Sequence, residues 1–183
     1  MKIISNSEFS ALLNPRLAVL VTCCDMQGHP NVLAVAWHTP LSHDPPLLGI
    51  SIGLTRYSHK LIQSTGEFVV NVMSASMLPA VRICGEYTGE LDDKFSLAKL
   101  KTKLASKISI PVLSDALAFL ECKLENQIET GDHTFFIGRV LHASLREDRF
   151  KQGWLLEQQD GALLVLQSDR YVSIGKEIFD EGR

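Results

Sequence analysis

The sequence predicts a mainly β fold, an antiparallel barrel or sandwich with a few helices at its periphery. Two observations carry this. Strand-like runs succeed one another through short turns: Leu17–Cys24, then Asp25-Met26-Gln27-Gly28 as a hairpin turn, then Asn31–His38. Helical spacing comes in short single stretches, not in the alternation of a βαβ array. A length of 183 residues with no internal repeat or low-complexity linker reads as one domain over residues 1–183.

Taken in order, Asn6 or Ser7 caps a short helix, Glu8–Leu13, which Pro15 follows. After the first hairpin, Pro40, Pro45 and Pro46 argue against regular pairing, so His38–Leu47 is expected to be a loop. Leu47–Gly53 is a strand. Tyr57–Thr65 has helical spacing and Gly66 as its stop. Glu67–Met73 is a strand. Ser76–Cys84 is a helix that tolerates Pro79 in its first turn and ends at Gly85. Residues 86–114 are polar and weakly patterned, with one short helix at Lys94–Leu100. Ala118–Glu129 and His133–Leu145 are long strands joined by Thr130-Gly131-Asp132. Asp148–Leu156 is a helical turn, and Ala162–Leu166 and Tyr171–Ile174 are closing strands.

The totals exclude several classes. Apolar residues make up 45% and charged residues 21%, ordinary for a globular protein. A net charge of −3 offers no electrostatic case for nucleic acid or an anionic membrane. The longest apolar run, within Leu17–Cys24, is far short of the roughly 20 residues of a membrane helix, and the N-terminus is too polar for a secretory signal. The cytoplasm is the expected compartment. Cys23, Cys24, Cys84 and Cys122 match no zinc spacing and read as buried free thiols, with Cys23 and Cys24 on opposite faces of a strand. His38 and His43 flank the proline loop without a further placed ligand, so no metal site is expected.

Fingerprints of the common nucleotide and nucleophile sites are absent: no G-x-G-x-x-G, Walker sequence, H-E-x-x-H or G-x-S-x-G. Two other features stand out. One is the small-residue face Gly49/Ser51/Gly53, with Ala34 and Ala36 as a second such face if the two strands pair. Such faces bury little apolar area, so something must fill the space: a packed helix or a flat ligand. The other is Arg56-Tyr57-Ser58-His59, where a strand enters a helix. A helix start with nearby arginine and hydroxyl groups suits an anion. The alternative is that Ser58 caps the helix and Arg56 is a solvated charge. Together the two features suit a flat ligand with a phosphate tail. His133 at a strand mouth suits a ligand contact or a proton relay, or else a turn hydrogen bond. Lys94 has the position of a surface lysine opening a helix.

Several stretches together carry a resemblance. They are Asn31–Trp37 with Thr39-Pro40-Leu41-Ser42-His43-Asp44-Pro45-Pro46, Ser51-Ile52-Gly53 with Arg56, Gly66–Asn71, Ile83-Cys84-Gly85, Asp93-Lys94-Phe95, and Gly131-Asp132-His133-Thr134 with Phe136 and Gly138. In this order, from about Asn14 to Val140 and with a weaker tail match at Arg170-Tyr171 and Gly175, the chain resembles the flavin reductase-like, FMN-binding split-barrel proteins, in particular the flavoredoxin and archaeal ferric reductase branch. The resemblance implies an antiparallel Greek-key split β-barrel acting as a homodimer with flavin near the subunit interface. It places the ring of FMN against Ala36, Trp37, His38 and Thr39 and against Ser51, Ile52 and Gly53, and its phosphate at Arg56, Ser58 and His59. Lys94 and His133 approach the flavin, with His133 the catalytic candidate. NADH or NADPH would supply the hydride and a flavin, ferric chelate or other acceptor would take it; the alternative is a flavoredoxin-type electron carrier without nicotinamide activity that exchanges with a redox partner protein. Flavin chemistry needs no protein nucleophile, which accounts for the missing triads.

Overall fold

The computed structural model describes residues 5–149, 160–167, 169–173 and 176–179. After a 3₁₀ turn at Asn6–Leu13 come β1 (Arg16–Leu17), β2 (Val19–Cys24), β3 (Pro30–Val35), β4 (His38–Ser42) and β5 (Leu47–Gly53). Helix α1 (Tyr57–Thr65) leads to β6 (Glu67–Val72), α2 (Leu78–Glu86), α3 (Lys94–Leu97), β7 (Thr102–Lys103) and β8 (Val112–Leu113). The long pair β9 (Ala118–Thr130) and β10 (His133–Leu145) follows, then β11 (Leu163–Gln167), β12 (Arg170–Ser173) and β13 (Lys176–Phe179).

Seven strands form one antiparallel sheet in the order β3-β2-β6-β9-β10-β5-β4. Residues of one parity converge on a common interior: Val19, Val21 and Cys23 of β2, Leu33 and Val35 of β3, Ile50 and Ile52 of β5, Phe68 and Val70 of β6, and Phe136 of β10. The sheet therefore curls into a barrel. Strand β2 is buried along its whole length, because its opposite face (Leu20, with Ala18 beside it) packs on Leu78 and Val81 of α2. Cys23 and Cys24 separate as expected, into the barrel and into a small cluster with Val69 and Ile110.

The barrel does not close by strand pairing. Strands β3 and β5 approach without forming a ladder, whereas the small-residue reading would have drawn them together as partners. Strand β4 covers only the first part of β5: its register ends at His38↔Ile50, after which the Ser51 N–H donates to the Trp37 carbonyl at 2.8 Å. Ile52 and Gly53 thus face β3 across a seam. Helix α1 fills it, touching β2, β3 and β5 and sending Leu61 and Ile62 into the barrel interior. Gly66 ends α1 at φ 69°, donating its N–H to the Ile62 carbonyl. Only glycine adopts that left-handed conformation at little cost.

Three expectations are corrected here. His38–Leu47 contains a strand, not only a loop. Pro40 is tolerated because β4 lies at the sheet edge, where a missing N–H removes no ladder bond, and the register shifts at Pro40/Ser42. Gly85 lies inside α2, which runs on to Glu86 with Tyr87 as its C-cap. A final strand, β13, follows Tyr171, where none was expected. The expected turn at Asp148–Leu156 is described only as far as Arg149, within a 3₁₀ turn at Glu147–Arg149, and Ile174 and Gly175 lie outside the described residues.

Candidate functional site

The seam holds the site. A cavity of about 230 Å³ is walled by β3 and its exit (Ala34, Ala36, Trp37), by the end of β5 (Ser51, Ile52, Gly53), by Arg56, by Gly85 of α2 and by His133. A second cavity of about 100 Å³ shares Leu33 and Arg56 with it and continues to Asn31, Ser58, Thr88, Gly89 and Lys94. Together the two reach the lower end of the roughly 300–1,000 Å³ of a ligand pocket.

The small-residue face of β5 divides. A Cβ on Gly49 would run into the ring of Phe135, so this glycine is filled by the protein itself. A Cβ on Gly53 would meet nothing nearer than His133 Nε2 at 3.7 Å, and the space before it belongs to the cavity. At Gly85, where α2 packs on β3, a Cβ would stand 3.6 Å from that of Ala34, an ordinary contact.

His133 is oriented from both sides. Its Nδ1–H donates to Asp132 Oδ1 at 2.7 Å, and its ring stacks on Trp37 with centroids 4.9 Å apart. Nε2 is left on the side of Gly53, available to a ligand atom.

The narrow end is polar and cationic. Lys94, a surface lysine by helix position alone but a flavin contact by the resemblance, is 3% exposed, donating from Nζ to the Cys84 carbonyl at 3.3 Å. Burial pushes its pKa below the ordinary 10.5, as for any cation withdrawn from water. Asn31 donates to Ser58 Oγ at 2.7 Å, while its buried Oδ1 has no hydrogen-bond partner among the described residues. Ser58 is therefore an inward-facing residue and not the helix cap, which falls at Arg56. A buried cation with most of its donor capacity unused, beside an orphaned carbonyl oxygen, fits an anionic group attached to a hydroxyl-bearing chain.

The expected site residues thus separate. Ala36, Trp37, Ser51, Ile52, Gly53, Arg56 and His133 share the large cavity, and Arg56, Ser58 and Lys94 share the small one. His38 and Thr39 stand on the other side of Trp37, in an apolar groove with Phe9, Leu13 and Phe135. His38 donates Nε2–H to the Leu17 carbonyl at 2.9 Å, and burial keeps its pKa below 6.5. The His59 side chain turns into the barrel, bonding Thr134 Oγ1 at 2.8 Å and meeting Phe136 edge-on, away from both cavities. Asn31 and Gly89 were not singled out as site residues. A polar residue entering an otherwise apolar strand was the available signal for Asn31; Gly89 sits in the weakly patterned stretch and had none.

All four cysteines are free and buried, which raises their pKa to about 12 for Cys23 and Cys122 and about 11 for Cys24 and Cys84. They are thiols, not thiolates, at neutral pH. Among the described residues no group of three or more His, Cys, Asp or Glu side chains could hold a metal ion, and no helix is long and apolar enough to cross a membrane.

An antiparallel barrel left open at one seam, with a cavity and a cationic end there, defines a split barrel. The profile of the Flavin reductase like domain matches residues 12–175, and the chain belongs to that family. It is 40% identical over 124 residues to an uncharacterised protein of Archaeoglobus fulgidus, covering 68% of this chain and 70% of the relative. It is 32% identical over 158 residues to a flavin reductase of Pseudomonas putida, covering 85% and 83%. In fold it is similar to a flavoredoxin of Methanosarcina acetivorans, with a TM-score of 0.82 at 24% identity over 100% of this chain and 95% of the other. Nitrilotriacetate monooxygenase component B of Bacillus cereus also has a TM-score of 0.82, at 23% identity over 97% and 98%.

Proposed function

We propose that the chain is an FMN-binding oxidoreductase that passes a hydride or electrons from NADH or NADPH, through flavin held at the seam, to a flavin, ferric chelate or other acceptor. The observation that carries this reading is the adjacency of the two seam cavities, which share Leu33 and Arg56, one lined by strand backbone and the other by the buried cation Lys94. When bound, FMN supplies hydride and electron transfer chemistry.

The residues have distinct tasks in this reading. Backbone at Ala36–Trp37 and Ser51–Gly53 supports the ring, where a side chain in place of Gly53 would narrow the space. Lys94, Arg56 and Ser58 take the phosphate as charge-assisted partners. His133, held by Asp132 and Trp37, presents Nε2 to the ligand and is the candidate proton donor or acceptor. His38 and His59 support the walls: His38 ties the start of β4 to Leu17, and His59 braces α1 against β10. The apolar groove lined by Phe9, Leu13, Trp37 and Phe135 next to the site supports a homodimer, to be checked by light scattering.

The test is anaerobic titration of the purified protein with FMN added to saturation. Bleaching of the flavin absorbance by NADH or NADPH is the expected result. A flavin that resists both nicotinamides yet is reduced by dithionite or a donor protein would favour a flavoredoxin-type electron carrier. Absence of any flavin binding would defeat both readings.

A further inference from the structure

The loop between α2 and α3, residues 87–93, is a thin partition between two spaces of opposite character. On its inner side lies the 100 Å³ cavity with Lys94 and Arg56. On its outer side lies a cavity of about 520 Å³ lined by His29, Glu90, Asp92 and Asp93 together with Phe95. Gly89 belongs to both walls.

The partition is seated, not merely nearby. Gly89 lies flat on the Asn31 side chain, and a Cβ there would collide with Asn31 Oδ1. Glu90 reaches Lys60 of α1 at 3.9 Å, and Asp93 caps α3 by accepting from the Phe95 and Ser96 N–H groups. The loop is thus fixed at Gly89 and Asp93, across the end of the cavity that holds the buried cation.

On the FMN reading of the site, we propose that this loop selects the class of flavin: it admits a ligand ending in a single phosphate and rejects a dinucleotide. A second phosphate would have to pass Gly89 and emerge beside Glu90 and Asp92. The inner wall attracts one phosphate, and the outer wall repels the next. Discrimination of this kind rests on a repulsive element placed against the wrong ligand.

Equilibrium binding to the full-length chain freed of flavin, followed by quenching of flavin fluorescence, tests this with riboflavin, FMN and FAD as probes. FMN is expected to bind at least about tenfold more tightly than either of the others, given one charge-assisted phosphate and one like-charge clash. In the surface double variant Glu90→Gln/Asp92→Asn, FAD affinity should rise about fivefold while FMN changes less than about twofold. Gly89→Ala, which lifts the loop from Asn31, should narrow the FMN-to-FAD ratio further. Equal affinity of the unaltered chain for FMN and FAD, or a ratio unmoved by the double variant, would overturn the inference while leaving FMN binding intact. Failure to bind any of the three would overturn both.

Discussion

Glu121 and Lys94 are both withdrawn from water, at 0% and 3% exposure, and their surroundings differ in kind. Glu121 accepts the backbone N–H groups of Ser106 at 2.8 Å and Lys107 at 2.6 Å, one on each carboxylate oxygen. Its charge is satisfied by the fold, and it fastens the segment between β7 and β8 to β9. Lys94 has three donors, and the carbonyl at 3.3 Å is its one hydrogen bond among the described residues. A buried cation so sparsely paired costs stability unless something else meets it. The first charge completes the fold; the second is left for a ligand.

The contrast is sharpest if each charge is removed. Glu121→Ala should cost about 3 kcal/mol of unfolding free energy, because two amides lose an ionised acceptor. Urea unfolding measures that loss, and FMN affinity should stay unchanged. Lys94→Met should do the reverse, weakening FMN about 30-fold while melting temperature holds or rises, since an apolar side chain carries no desolvation penalty. A marked fall in melting temperature would instead make Lys94 a structural residue. Arg56→Ala, at an exposed position screened by water, should weaken FMN by only about fivefold. Unchanged affinity there would remove Arg56 from the phosphate site.

The smallest effect is in pH. Burial holds His38 and His59 below the ordinary 6.5, so below that value the unfolded chain binds protons that the folded one refuses. Stability should therefore fall as pH drops from about 6.5 through the lower folded values. His59→Gln, which can keep a bond to Thr134, should flatten part of that slope. An unchanged slope would mean that His59 titrates as freely in the folded protein as in the unfolded one.

The local pattern of the sequence carried β5 and α1 to their observed bounds, because alternation, helical spacing and a terminal glycine act over a few residues. It also marked the β9–β10 hairpin, whereas the family came from the resemblance of several stretches taken together in order. What it did not contain were meetings between distant segments. Gly49 looked like ligand space, yet Phe135 of another strand fills it. His59 looked like a phosphate ligand beside Ser58, but successive helix positions point apart, and one turned into the barrel while the other met Asn31. Helix position alone made Lys94 a solvated lysine, and only the resemblance brought it toward the flavin; the packing of α3 against β3 and α2 is what buries it. Pro40 signalled a loop because a proline gives no hint whether its strand lies at the edge or the centre of a sheet.

The seam between β3 and β5 has one more consequence. A conventional barrel is held shut by its own ladder, so a ligand adds to its stability without closing it. Here closure falls to the side chains of α1 and to whatever bridges the β5 end, Arg56 and Lys94. Occupancy and folding are then linked quantities: each tenfold excess of ligand over its dissociation constant adds about 1.4 kcal/mol to the folded state. Amide exchange along β3 and at Ile52–Gly53 should slow on loading well before that of β6 or β9, making the backbone itself a gauge of cofactor supply.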